Sequence, residues 1–253
     1  MFKFLINTFY FIFPKRLTEF ISYLGGFRHF KISYSQSGED LILLKYLKYK
    51  NIEKGKYLDI GAFHPRWASN THLLHQKGFS GYCVDLDEKR LRWFRFSRGN
   101  KVKTICGAVS NTHEEFIKVY KFKRKSPFSL IDTTSLEHAE YFKSKGKSKY
   151  EVINVKNFHI NEVFNKVGKI NVLNIDIEGK DFEVIKSSDL EIIDPEIILI
   201  EDNSGYFPLN ELEDFFLKKN YHLISICGLT KCFAKKWIKK KLFTIFLVNQ
   251  RFV

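Results

Sequence analysis

Four carboxylates recur in one setting along the chain. Asp59, Asp85, Asp176 and Glu201 each end a short apolar run. In an open parallel sheet the carboxyl ends of the strands share one edge, and ligands bind there. Acids far apart in sequence would therefore converge in space. Asp85 lies about 26 residues after Asp59, near the separation at which a dinucleotide fold accepts hydrogen bonds from ribose hydroxyls. One such acid is explained by helix capping alone. Four in register call for a site.

The stretch after the first acid narrows the ligand. It reads Asp59-Ile60-Gly61-Ala62-Phe63-His64-Pro65, with no second or third glycine at GxGxxG spacing. A pyrophosphate needs the close backbone approach those glycines give. A ligand with ribose and adenine but no pyrophosphate does not. The pattern turns away from a dinucleotide and towards S-adenosylmethionine.

The elements that must hold these acids can be read in order. Ser37 is placed to cap a helix with Asp40 as its capping-box partner, and Leu41, Ile42, Leu44, Tyr46 and Leu47 form its apolar stripe. Tyr57 to Ile60 is the first strand. Ser69 or Asn70 caps a helix through Gln76, closed by Gly78. Gly81 to Asp85 is a second strand, Glu88 to Arg98 a strongly basic helix, and Val102 to Cys106 a third strand. Val172 to Asp176 and Glu196 to Ile200 are further core strands, the last running into Glu201-Asp202-Asn203. Leu209 to Lys219 is a helix. Tyr221 to Ile226 and Leu242 to Val248 form an antiparallel hairpin around the basic segment Lys231 to Lys241. Alternating strands and helices predict a mostly parallel α/β sheet. Residues 111–150 have no clear period. Phe116 to Phe122 and Glu151 to Val155 are strand candidates there, and the rest reads as an irregular insertion or substrate loop.

The chain resembles the FkbM family of S-adenosylmethionine-dependent methyltransferases. Four blocks in order carry the resemblance: Tyr34 to Asp40; Asp59 to Pro65 with Ser69-Asn70-Thr71; Gly78 to Gly81 running into Val84-Asp85; and Asn174-Ile175-Asp176-Ile177-Glu178-Gly179. It covers roughly residues 33 to 248. In the family the second strand usually ends in Glu; here Asp85 is one methylene shorter and keeps the capacity to accept two ribose hydroxyls. The resemblance implies a Rossmann-like class I methyltransferase fold, with a seven-stranded, mostly parallel sheet and helices on both faces. It places the cofactor against Glu39, Asp59, Gly61, Ala62, Asn70, Thr71, Asp85, Leu86, Ala108 and Asp176. It implies an O-methyltransferase acting on a hydroxyl of a sugar or similar acceptor, in the assembly of surface glycans or other glycoconjugates.

Methyl transfer from a sulfonium is an in-line displacement, so alignment supplies much of the rate. A hydroxyl acceptor also gains from a base within hydrogen-bond reach. Asp176, Glu178 and His64 are the candidates. A hard cation such as Mg²⁺ would need oxygen ligands, and Asp176, Asp202 and Asn203 could supply them. His64, His72 and His75 lack a zinc-ligand spacing, and no cysteine pair joins them.

Hydrophobic residues make up 44% of the 253, which excludes a disordered chain. The formal charge of +14 invites nucleic acid, an anionic membrane or phosphate-bearing acceptors. A nucleic-acid amino-methyltransferase of this fold normally carries an Asn/Asp-Pro-Pro-aromatic turn where this chain has Asp176-Ile177-Glu178-Gly179, so exocyclic amine chemistry is disfavoured. RNA methylation at another acceptor and a non-catalytic membrane-bound module remain as rival readings. The four cysteines are scattered and none forms a CxxC, so buried free thiols are expected; Cys83 and Cys106 fall in core-strand positions. Residues 1–32 read as an apolar helical extension before a domain at 33–253. Its run Phe2 to Phe13 is shorter than the roughly 20 residues needed to span a bilayer. It suits contact with a membrane surface through residues 1–16, or packing on the domain or on a second copy. A cytoplasmic protein, peripheral on the inner face of the membrane, is the expectation.

Overall fold

The computed structural model describes residues 31–122, 132–145, 149–202 and 209–235. The chain divides into two units, Met1–Ile32 and Ser33–Val253; the description below concerns the second. The N-terminal apolar run and the strand expected at 242–248 lie outside the described residues.

Helix α1 (Glu39–Tyr49) leads into β1 (Lys56–Ile60), α2 (His72–Gln76), β2 (Ser80–Asp85), α3 (Glu88–Arg98) and β3 (Val102–Cys106). After β4 (Ala108–Ser110), β5 (Phe116–Phe122) and β6 (Asp132–Thr133) come α4 (Leu136–Ser144) and β7 (Tyr150–His159). The chain then runs through α5 (Ile160–Val167), β8 (Val172–Ile175), α6 (Asp181–Lys186), α7 (Leu190–Ile193), β9 (Ile197–Glu201) and α8 (Leu209–Lys218). It ends in β10 (Tyr221–Cys227) and β11 (Thr230–Lys235).

Seven strands form the main sheet in the order β3-β2-β1-β8-β9-β11-β10. β11 alone is antiparallel to its neighbours. Both faces are covered, so the central strands are apolar on both sides. Their two side-chain parities go to two separate cores. Leu58, Ile60, Ile198 and Ile200 join α5 to α8 on one face. Tyr57, Cys83, Ile197 and Leu199 join α1, α2 and α3 on the other. This is the Rossmann-like sheet with helices on both faces that the strand-end acids require.

Several local expectations are corrected. Ser37 does not cap α1. The Ser35 hydroxyl accepts from the amides of Gly38 and Asp40, and Asp40 reaches back to the Tyr34 amide and the Ser33 and Ser35 hydroxyls. The N-cap is Gly38, at φ 87° and without a capping side chain, and the bonds between Ser35 and Asp40 fasten the turn that leads into it. Thr71, rather than Ser69 or Asn70, occupies the N-cap of α2. The C-terminal hairpin closes within β10–β11, across Gly228-Leu229, so its second strand is Thr230–Lys235. Lys231, taken as part of a solvated basic loop, is only 8% exposed and is ion-paired with Asp202. Cys106 is exposed, while Cys83, Cys227 and Cys232 are buried as free thiols.

The described parts of residues 111–150 are also more regular than their sequence suggests. β5 pairs antiparallel with β7 over seven residues, from Phe116↔Lys156 to Phe122↔Tyr150. With β4 and β6 they make a second sheet in the order β4-β7-β5-β6. β7 is ten residues long instead of five.

Candidate active site

One cleft opens at the carboxyl edge of β1, β2 and β8. Its lining includes Asp59, Gly61, Ala62, Asn70, Asp85, Leu86, Ala108, Asp176 and Glu178, with Phe63, Arg90, Asp132 and Thr134 completing the wall. Acids far apart in the chain thus meet, because parallel strands end at a common edge.

Asp59 forms the floor. Its carboxylate accepts from the Thr71 hydroxyl (2.5 Å) and the Asn174 amide (2.9 Å), and Asn70 in turn donates to Asn174 (2.9 Å). Burial raises the Asp59 pKa, and these donors together with Arg98 pull it back. Thr71 is itself fully buried and acts through Asp59; it is not among the residues lining the cleft. Gly61 has φ 81°, and a Cβ there would lie 1.6 Å from the Asp176 carbonyl oxygen. Only glycine allows β1 and β8 to turn this close together. The following loop holds two further left-handed residues, Phe63 (φ 45°) and Ala68 (φ 48°).

That loop is pinned from below by Arg98, at the end of α3 and 3% exposed. Its guanidinium donates to Tyr57 Oη (2.8 Å), Thr71 Oγ1 (2.9 Å), Pro65 O (2.8 Å) and Ser69 Oγ (3.0 Å). The buried cation and buried Asp59 are thus joined through one hydroxyl.

Asp85 ends β2 and is 5% exposed. The amides of Asp87 (2.8 Å) and Phe63 (3.0 Å) donate one to each oxygen. Arg90 Nη1 stands 3.4 Å from both. Burial raises the Asp85 pKa, with Arg90 the largest opposing influence.

Beyond β8 the chain turns sharply. Glu178 sits at φ 59° and Gly179 at φ 108°. Asp181, at the start of α6, receives the amides of Ile177 (2.8 Å) and Gly179 (3.1 Å) and closes the turn. The Glu178 carbonyl accepts from Thr133 Oγ1 (2.6 Å) and from His138 Nδ1 (2.7 Å), which places the His138 proton on Nδ1. Asp176, Glu178 and Glu201 bring carboxylate oxygens within 4.8 Å of one another. Burial, then mutual repulsion, pushes Glu178 and Glu201 far above the usual carboxylate range. Asp176 Oδ1 is buried without a hydrogen-bond partner.

Three oxygen donors this close form a set that a hard divalent cation could occupy. It is a different set from Asp176, Asp202 and Asn203. Asp202 is ion-paired with Lys231, and Asn203 is outside the described residues.

The other expected site residues fare as follows. Glu39 is buried away from the cleft lining, and its carboxylate accepts the Ser37 amide (2.8 Å). His64 is not part of the lining either. Its Nδ1 accepts from the amides of Arg66 (3.1 Å) and Trp67 (3.0 Å), and its ring stacks on Trp67. That nitrogen is committed to the loop, and burial lowers the pKa. Arg90, Arg98, Asp132, Thr133 and His138 were not singled out from sequence. The two arginines lie in a helix that reads as a solvated basic face, and the other three lie in the stretch without a period.

The cleft fits S-adenosylmethionine on its own features. Asp85 retains acceptor capacity for a ribose, Gly61 permits close backbone approach, and Phe63, Leu86, Ala108 and Val109 give apolar walls suited to an adenine. Two solved structures are similar in outline. One is a TehB-like SAM-dependent methyltransferase from Corynebacterium glutamicum, with TM-score 0.37 and 9% identity over 88% of this chain and 97% of that one. The other is TehB from Haemophilus influenzae, with TM-score 0.41 and 12% identity over 77% of this chain and 61% of that one. Both likenesses are too distant to carry residue roles. No curated protein matches the chain by sequence. The methyltransferase FkbM domain does match, over residues 59–223, from the floor acid of the cleft to the start of β10. With that span covering more than half of the sequence, the chain belongs to the FkbM family of S-adenosylmethionine-dependent methyltransferases.

Proposed function

We propose that the protein methylates a hydroxyl group, and that the acceptor is a sugar of a glycan or other glycoconjugate. The observation that carries the O-methyl reading is the carboxylate cluster beside the cofactor cleft. A hydroxyl is a poor nucleophile until its proton is removed, and a base serves best when its pKa lies near the working pH. Burial and like charge lift the pKa values of Glu178 and Glu201 above the ordinary carboxylate range, so the three carboxyls do not ionise together, and the member left ionised is the proton acceptor. Bound S-adenosylmethionine supplies an activated methyl group on a sulfonium. Asp85 holds the ribose and the Asp59–Asn174–Asn70 chain fixes the floor. Glu178, on the cleft wall, orients the acceptor oxygen, and the ionised member of the cluster receives its proton as the new bond forms. Asp176 holds Glu178's neighbour Glu201 and keeps the proton within the cluster. A divalent cation on Asp176, Glu178 and Glu201 would serve the same end by stabilising the alkoxide.

Calorimetric titration of the full chain with S-adenosylmethionine and S-adenosylhomocysteine, repeated on Asp85→Ala, tests the cofactor assignment. Micromolar binding lost by the variant is expected. Labelled methyl transfer to free sugars, nucleotide sugars and lipid-linked glycans, with and without EDTA, tests acceptor and cation. Transfer to RNA but to no carbohydrate would reject the sugar reading. Peripheral contact with the inner membrane through residues 1–16 belongs to the same proposal, and flotation with anionic vesicles tests it. Among the described residues no helix is long and apolar enough to cross a membrane.

A further inference from the structure

Arg90 joins two acids that belong to different parts of the molecule. Asp85 is the last residue of β2. Asp132 opens β6, the edge strand of the second sheet, and α4 follows it. The guanidinium stands between them, with Nη1 3.4 Å from both Asp85 oxygens and Nη2 3.3 Å from Asp132 Oδ2. The three side chains are 12%, 4% and 7% exposed, so water screens the bridge little. The Arg90 guanidinium also lies 5.0 Å over the Phe63 ring, and the Phe63 amide donates to Asp85. All four residues line the cofactor cleft.

The same segment is fastened a second time. Thr133, next to Asp132, and His138, in the first turn of α4, both donate to the Glu178 carbonyl. The seven residues 132–138 thus connect the Arg90 bridge on the cofactor-binding acid to the turn that carries the candidate base.

We propose that Arg90 and Asp132 are positioning residues, and that 132–138 is a strap coupling cofactor binding to the geometry of the acceptor side. This rests on the assignment of Asp85 to the cofactor. The bonds to Asp85 are longer than the usual 2.7–2.9 Å of a charge-assisted pair, so the carboxylate is oriented while each oxygen, already accepting one amide, keeps its second lone pair loosely held and within reach of a ligand. A cofactor that engages Asp85 favours the strapped arrangement. By reciprocity, a strap that cannot form lowers cofactor affinity.

The test is a double-mutant cycle on S-adenosylhomocysteine affinity, measured by calorimetry with Arg90→Gln, Asp132→Asn and the pair. Each single variant is expected to weaken binding by about tenfold, and the pair by no more than the worse single one. Arg90→Lys, which keeps the charge but not the two-armed bridge, should recover only part. Hydrogen exchange gives a second readout. S-adenosylhomocysteine should protect amides in 133–144 in the wild type and fail to do so in Arg90→Gln. Independent, additive losses, or protection that survives Arg90→Gln, would overturn the strap and leave the cofactor assignment standing. A wild-type chain that does not bind S-adenosylhomocysteine at all would remove both.

Discussion

Glu178 occupies the left-handed region with a side chain that gains nothing from being there. Non-glycine residues in that region carry about 1–2 kcal/mol of strain, and the Glu178 carbonyl is held by two donors from another segment. Strain that the surroundings enforce is the usual mark of a working residue. Glu178→Gln should lower methyl transfer at least a hundredfold. It also replaces a buried carboxyl that must take up a proton on folding with a neutral amide, so the melting temperature should rise by a few degrees, about 1 kcal/mol for a chain of this size. A variant with wild-type activity would exclude Glu178 as the base. At this scale the acids were legible, because an acid ending an apolar run is a local pattern. The arginines were not. Helical period alone sets Arg98, which is 3% exposed, on the stripe of Leu91 and Phe94 and away from Arg92 and Arg95, which are exposed, but a basic helix does not show that this stripe ends in a buried cation. The difference is made by the Gly61–Ser69 loop folding over Arg98.

Among the elements, α1 illustrates how a cap can be seen and misplaced. Ser35 and Ser37 are equally good capping residues by type, but Gly38 takes the N-cap, and it is the Ser35 hydroxyl that receives the Gly38 and Asp40 amides. Ser35→Ala should therefore cost about 1 kcal/mol and Ser37→Ala much less, a difference that urea midpoints will resolve. Equal losses would return the cap to Ser37. The parallel strands of the main sheet were legible because strands buried on both faces are continuous apolar runs, whereas β11, with Lys231 and Lys235 in it, was not. In the second sheet the strand Phe116–Phe122 and the first half of β7 were legible, but their pairing was not. β7 pairs with β4 and β5, which precede it by some 40 residues, and its residues alternate between exposed and half-buried for most of its length. Non-local pairing leaves no trace in a local window. The loop–helix contact made by Arg98 belongs here too. Arg98→Met removes four hydrogen bonds and leaves buried Asp59 without its compensating charge. A loss of about 3–5 kcal/mol is expected, with weaker S-adenosylhomocysteine binding as the loop loosens. A loss under 1 kcal/mol would show that Thr71 and Asn174 suffice to hold Asp59.

For the whole molecule, pH dependence is set partly by a histidine far from any chemistry. Burial, then the charge of Arg98, lowers His75 from 6.5 to about 4, with His72 and Lys101 adding to the effect. Above pH 6.5 the ring is neutral in both folded and unfolded chains. As pH falls from about 6.5 to about 4, the unfolded chain takes up a proton that the folded chain refuses, so stability is lost across that window. His75→Gln should flatten the fall between pH 7 and pH 4.5 in denaturation midpoints. An unchanged slope would assign the loss to other groups. The net charge of +14 pointed to anionic partners, yet within the site the balance is reversed. The cleft collects Asp59, Asp85, Asp132, Asp176 and Glu178 against Arg90. A cationic cofactor suits that interior, and the basic surface is a separate matter.

Cys106 ends β3 at the mouth of this acidic cleft, one residue before Gly107 and Ala108 in its wall, and its Sγ lies 3.8 Å from the Leu86 carbonyl oxygen. The other three cysteines are buried. The native chain therefore carries one addressable thiol, already located where occupancy of the cleft would be felt. A maleimide fluorophore should attach once per folded chain and four times after unfolding. Burial and nearby Glu88 raise the thiol pKa, so attachment should quicken as pH rises. The attached dye should change emission, or attach more slowly, when S-adenosylhomocysteine is added. Such a chain would serve as its own binding sensor, with no cysteine added or removed, in a search for the acceptor.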